Sequence, residues 1–155
     1  MRGLTWFFAV IALLLLSGCE RWALDWQMDE LCKKDGGTKV YEKVRDPKME
    51  FSYGGPFYRH TSPNWPQDEY YGPDYKYVVT REILVGRYAI PERGEGRLDR
   101  VHMVLYRKVD NKLLGESILY QRGGGDFFTF GFMPSGNACP LPRKDLAKSI
   151  FVGGE

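Results

Sequence analysis

The side chains of this 155-residue chain that could carry chemistry are few: His60 and His102, cysteines at 19, 32 and 139, and the adjacent acids Asp68-Glu69. Nucleophilic catalysis needs a base within hydrogen-bond reach of a serine or cysteine. His102 falls in a segment that alternates as a strand, on the face opposite Val101, Met103 and Leu105 and beside Val104 and Tyr106. A packed or solvent-facing histidine is the plainer explanation there. His60, between Arg59 and Thr61, is more accessible but has no identifiable partner. Asp68-Glu69 could act as paired carboxylates, although neighbouring acids in a proline-rich stretch are more simply solvated. Neither histidine stands at zinc-ligand spacing from a cysteine, so no metal is expected. Gly123-Gly124-Gly125-Asp126 lacks the lysine or serine of a phosphate-cradling loop and leads into a strand pattern, so backbone freedom explains it better. No catalytic residue and no cofactor is expected.

The strongest signal precedes all of these. Arg2 is the one charge before an uncharged run from Leu4 to Leu16. Thirteen helical residues span roughly 20 Å, short of the ~30 Å hydrocarbon core, so the run reads as the apolar part of an export signal. Leu16-Ser17-Gly18-Cys19 follows. That tetrad resembles the lipobox of bacterial lipoproteins. The resemblance implies that residues 1–18 are removed, that the Cys19 thiol takes a diacylglycerol, and that its new amino group is acylated with a fatty acid such as palmitate. Two or three chains hold far more firmly than one, at about 0.8 kcal/mol per buried CH₂. An uncleaved anchor with a chance cysteine is the alternative. Many Gram-negative lipoproteins with aspartate after the cysteine stay in the inner membrane. The residue here is Glu20, which implies the periplasmic face of the outer membrane, with the inner membrane as the alternative.

With Cys19 given to lipid, Cys32 and Cys139 remain. An even pair in an oxidising compartment is most simply a disulfide; a free, reactive or metal-binding cysteine is the alternative. Removing 18 residues leaves 137, a length for one domain over 19–155. Loss of Arg2 lowers the formal charge from +2 to +1, and without a basic face nucleic acid is not an expected partner. The many aromatic, glycine and proline residues suit a β-rich fold with many turns.

These residues must be positioned by a small set of elements. Arg21 to Lys34 is predicted helical: Leu24, Met28, Leu31 and Cys32 form one apolar stripe, acid–base pairs follow at i, i+4, and Asp35-Gly36-Gly37 ends the helix. Trp22 and Trp26 lie on another side, close to the lipid, where indoles could rest at the headgroups; packing under a loop is the plainer expectation. Thr38–Val44 is a predicted strand. Residues 46–75 carry five prolines and no sustained period, with Phe51, Tyr53, Phe57, Tyr58, Trp65, Tyr70, Tyr71 and Tyr75. Such a stretch is either a lid over an open sheet face or a binding platform, in which Phe57, Tyr58, Trp65, Tyr70 and Tyr71 would contact a glycan, peptide or protein. The lid is favoured.

The second half is more regular. Tyr77–Val85 is a strand that Arg87–Ile90 could extend, and Pro91–Gly96 a polar turn. Arg100–Val109 and Leu113–Arg122 form a hairpin through Asp110-Asn111-Lys112, with Val101, Met103, Leu105 and Val109 on one side. Asp126–Phe132 is a further strand, Pro134–Pro142 a loop holding Cys139, and Arg143–Phe151 one short helix with Leu146 and Ile150 inward. The expected fold is α+β: one N-terminal helix on a mostly antiparallel sheet of four to five strands, with a long aromatic and proline-rich loop.

Glu30-Leu31-Cys32-Lys33-Lys34-Asp35-Gly36-Gly37 with Lys39-Val40-Tyr41-Glu42, the triple glycine, and Cys139-Pro140 resemble a small family of uncharacterised proteobacterial lipoproteins over most of the mature chain. The resemblance implies architecture and address but transfers no activity. A membrane-tethered, non-enzymatic binding or envelope-interaction module is the expected function, presenting the aromatic loop or a sheet edge to an envelope protein or glycan. An inhibitor or immunity factor against an envelope-damaging enzyme is the alternative, and a peptidoglycan or lipid hydrolase working through His60 a third.

Overall fold

Helix α1 runs from Cys19–Asp35 in the computed structural model, which describes residues 19–52, 55–58, 71–86, 95–126 and 135–153. Glu20 in its first turn and Lys33 and Lys34 in its last complement the helix dipole. Leu24, Met28 and Cys32 are buried, as the stripe requires, while Leu31 is half-buried at its margin. Gly37, at φ +132°, then turns the chain into a strand.

The strands are β1 (Gly37–Val40), β2 (Met49–Ser52), β3 (Gly55–Tyr58), β4 (Tyr75–Val85), β5 (Gly96–Arg107), β6 (Lys112–Gly124) and β7 (Gly136–Cys139); helix α2 is Leu146–Ile150. Five of the strands form one sheet in the order β1-β6-β5-β4, with β7 also paired to β6. The register sets Lys39 opposite Glu116 and Tyr120 opposite Cys139, both in antiparallel pairs. The α+β expectation holds: one N-terminal helix and a mostly antiparallel five-stranded sheet.

Contacts gather into two compact units, and the long strands contribute residues to both. The first takes α1 through Lys34, Glu82–Arg100 and Tyr120–Cys139; the second takes Asp35–Arg81, Val101–Leu119 and Pro140–Glu155. In the first unit, Leu24 of α1 rests over Gly96 at the start of β5, where a Cβ would come within 2.1 Å of Leu24 Cδ1. Glycine there leaves room for the Leu24 side chain to sit directly on the strand. Cys32 and Cys139 are joined by a disulfide across a Cα separation of 6.1 Å, in the range such bridges require.

The core of the second unit is Met49, Tyr75, Leu105, Leu114, Leu146, Ala147, Ile150 and Phe151, with Val44, Tyr71, Tyr77 and Met103 packed against it. Helix α2 is shorter than the 143–151 pattern suggests, because Asp145 caps it: its side chain accepts the Lys148 N–H at 2.9 Å. Phe151 leaves the helix to bridge Val44 in parallel.

Several expectations are corrected. Thr38–Val44 is a strand only to Val40; Val44 serves the separate bridge with Phe151. The 46–75 stretch holds an ordered antiparallel hairpin, β2 with β3, and its last residue opens β4. Cys139 ends a strand rather than sitting in a loop, because Gly136–Cys139 finds a free stretch of β6 to pair with. Val109 lies beyond the end of β5 and is exposed, while Val101 and Leu105 are buried. The turn between β5 and β6 is as expected, with Asn111 in the left-handed region at φ 52°. The 87–90 segment lies outside the described residues, as does the predicted 126–132 strand apart from Asp126, which is not in a strand.

Candidate functional site

Alternation along β5 and β6 and the first residue after β1 bring three functional side chains of the second unit together. Glu116 of β6 is partly buried. One of its oxygens accepts the Tyr41 hydroxyl at 2.6 Å, and the other stands 3.0 Å from His102 Nε2. Lys39 Nζ approaches at 3.8 Å. A carboxylate can only accept, so the His102 tautomer follows: Nε2 carries the proton and donates. The hydrogen bond from Tyr41, then that from His102, holds the Glu116 carboxyl below the ordinary carboxylate range. The same bond holds the Tyr41 hydroxyl above the ordinary phenol range.

A carboxylate-oriented imidazole is one part of an acid–base site, but nucleophilic chemistry also needs a hydroxyl or thiol made easier to deprotonate. Tyr41, the hydroxyl present, is made harder to deprotonate and is aimed at the carboxylate, not at His102. Among the described residues no serine or cysteine bonds to His102. The cluster instead ties β1, β5 and β6 together and leaves an exposed phenol and a partly exposed imidazole at the surface. On its far side Thr38 and Ser117 share a hydroxyl bond of 2.9 Å.

A second cluster lies in the first unit. The Arg122 side chain is 1% exposed. Its Nε donates to Asp25 of α1 at 2.6 Å, and Nη1 donates to the Gly124 carbonyl and to Ser135 Oγ at 3.0 Å. Asn137 donates to the same Asp25 oxygen at 3.1 Å. Arg21 pairs with Asp126 at 3.2 Å, and Asp126 also accepts the Ser135 N–H. The triple glycine makes this possible. Gly124 and Gly125 have φ of +73° and +81°, and a Cβ on Gly125 would press on the Arg21 backbone at 3.2 Å. This network fastens α1 to the end of β6; it is structural.

No protein family, curated protein or solved structure matches the chain.

Of the residues marked by the sequence, Cys32 and Cys139 are brought together and bonded. Trp22 and Trp26 are 79% and 70% exposed, not packed under a loop. Cys19 is the first residue of α1. Of the aromatic platform, Phe57 is half-buried in β3 opposite Glu50, and the backbone of Tyr58 pairs opposite Met49. Tyr71 stacks on Phe151 at 5.9 Å and meets Tyr77 edge-on at 5.4 Å, so its ring covers core. Trp65, Tyr70, His60, Asp68 and Glu69 lie outside the described residues. Among the described residues there is no cluster able to hold a metal ion, and no helix long and apolar enough to cross a membrane. Sequence reasoning missed Glu116, Tyr41 and Arg122. The cross-strand register was the signal that could have found the first two, since Lys39 and His102 both converge on Glu116.

Proposed function

We propose that this chain is an exported lipoprotein, tethered through lipid on Cys19 to the periplasmic face of the outer membrane, and that it works there as a non-enzymatic binding module. One observation carries the proposal. The disulfide consumes Cys32 and Cys139, so of three cysteines Cys19 alone is left for another chemistry, and it stands behind an apolar leader ending Leu16-Ser17-Gly18. A stable disulfide also suits an oxidising compartment outside the cytoplasm. Binding rather than catalysis is supported by the Glu116 cluster, in which the Tyr41 hydroxyl is given to the carboxylate and not to His102. An envelope protein or glycan is the proposed partner class.

The test is expression of the full chain in a Gram-negative host beside Cys19→Ser. An acylated N-terminal peptide beginning at residue 19, and membrane fractionation lost in the variant, are expected. A Cys19→Ser chain that keeps unchanged leader processing and still fractionates with membranes overturns the anchor. Crosslinking in intact cells followed by mass spectrometry reports the partner. A stoichiometric toxic enzyme in that position would make the module an inhibitor, and turnover of peptidoglycan or lipid by the purified protein would overturn the non-enzymatic part.

A further inference from the structure

Two tryptophans in full water need an explanation. Trp22 and Trp26, one turn apart on α1, are 79% and 70% exposed, although indole is the side chain most readily placed at a boundary between apolar and wet surroundings. Each helical residue turns about 100°. Taking position 19 as the origin, positions 22 and 26 fall within about 60° of it, whereas the buried positions 24, 28 and 32 centre on the opposite direction, about 140° from the middle of the two tryptophans. The attachment point and both indoles therefore share one face of α1, and the face that packs into the first unit is the other one.

We infer that α1 lies along the bilayer surface, with Trp22 and Trp26 seated at the level of the phospholipid headgroups and the body of the first unit carried on its opposite face. The inference rests on the lipid anchor proposed above and adds the orientation and the contact surface. The occupant follows from continuity. The helix begins at Cys19 itself, so no linker separates the fatty chains from the first turn. At about 1.5 Å per residue, Trp22 stands about 4.5 Å along the axis from the anchor and Trp26 about 10.5 Å. The headgroup layer is only about 5–8 Å deep on each side. An upright helix would lift Trp26 out of it; a helix lying down brings both rings in. The next turn on this face offers Glu30 and Lys33 paired with each other at 2.8 Å, a charge-neutral continuation that does not oppose the contact. Arg21 and Asp25 are turned to the Asp126 and Arg122 network, so they do not set the helix against the surface.

The experiment uses the lipidated protein, its N-terminal acylation checked by mass, in phosphatidylethanolamine/phosphatidylglycerol vesicles. The wild type is compared with Trp22→Phe, Trp26→Phe and the double variant; both sites are exposed, so these changes leave packing alone. The signal of interest is the difference between wild type and double variant, which removes the contribution of Trp65. In vesicles that difference spectrum is expected to shift to the blue relative to Cys19→Ser protein in solution. It should also lose several-fold in quenching by acrylamide, and be quenched by phospholipid brominated high on the acyl chain. Each single variant should retain part of the bromolipid quenching. Acyl chains present with indoles still fully open to acrylamide overturn the seating while leaving the anchor intact. Quenching of Trp22 alone means an upright helix and overturns the orientation. Absence of acyl chains on residue 19 overturns the anchor, and the seating with it.

Discussion

Glu116 shows how one carboxylate organises a surface. Its folded-state pKa is depressed, first by the Tyr41 hydroxyl and then by His102, so it contributes stability that is fully present above the unfolded value of about 4.3. That contribution fades as pH falls through the lower folded value. Denaturant unfolding followed from neutral to acid pH should show this loss, and Glu116→Gln should flatten that part of the profile. Tyr41→Phe removes the larger cause, so the Glu116 carboxyl titration, followed by NMR, should move up toward the ordinary range while the fold persists. Arg122 is the opposite case, a cation with 1% exposure whose carboxylate partner is Asp25. Asp25→Ala leaves a buried guanidinium to carbonyl and hydroxyl partners and should cost about 3 kcal/mol in urea unfolding. The sequence showed neither role. Asp25 reads as one more helix surface acid and Arg122 as the polar end of a strand; only the fold brings them within 2.6 Å.

At the scale of elements, two glycines control how close the layers come. A Cβ on Gly115 would stand 2.8 Å from the Lys39 carbonyl and 2.9 Å from Ile150 Cδ1. The carbonyl belongs to β1 directly beside it, so the clash cannot be relieved by a side-chain rotation. Gly115→Ala should destabilise by about 2–3 kcal/mol. Gly96→Ala meets the ends of two side chains, Leu24 Cδ1 at 2.1 Å and Glu20 Oε1 at 3.2 Å, rather than backbone, and should cost less; paired thermal melts decide the order. These elements were legible where a period ran long enough. Helix α1 and the β5–β6 hairpin stand close to where the alternation put them, because Leu24, Met28 and Leu105 mark buried faces without ambiguity. Strands β2, β3 and β7 were hidden for a common reason. Each is four residues long, too short to show a period, and is held by pairing with a partner rather than by its own pattern; β3 and β7 also contain glycine. Tyr71 and Tyr75 gave no period either, yet both pack on Phe151, far from them in the sequence.

For the whole molecule the disulfide is the largest single constraint. It closes a separation of 107 residues, for which chain entropy gives an upper figure of about 5 kcal/mol. Replacing both Cys32 and Cys139 by serine should lower unfolding stability by about 2–5 kcal/mol, measured by urea titration of the two proteins under identical non-reducing conditions. Cysteine arithmetic made this bridge readable in advance, since pairing needs only a count and a compartment. The Glu116 cluster was not readable in that way. It draws on positions 39, 41, 102 and 116, too far apart in the chain for any local pattern to join them.

The bridge also governs how this protein could be shed. Cys32 is thirteen residues from the proposed attachment point, and Cys139 is near the other end of the chain. A single proteolytic nick anywhere between them therefore releases nothing: both pieces stay covalently joined to the anchored segment. Lightly trypsinised membranes should retain the nicked protein at full size on a non-reducing gel and yield two fragments only after dithiothreitol. Release into the medium would then require a cut between residues 19 and 32, within α1, or reduction of the bridge as well as a nick.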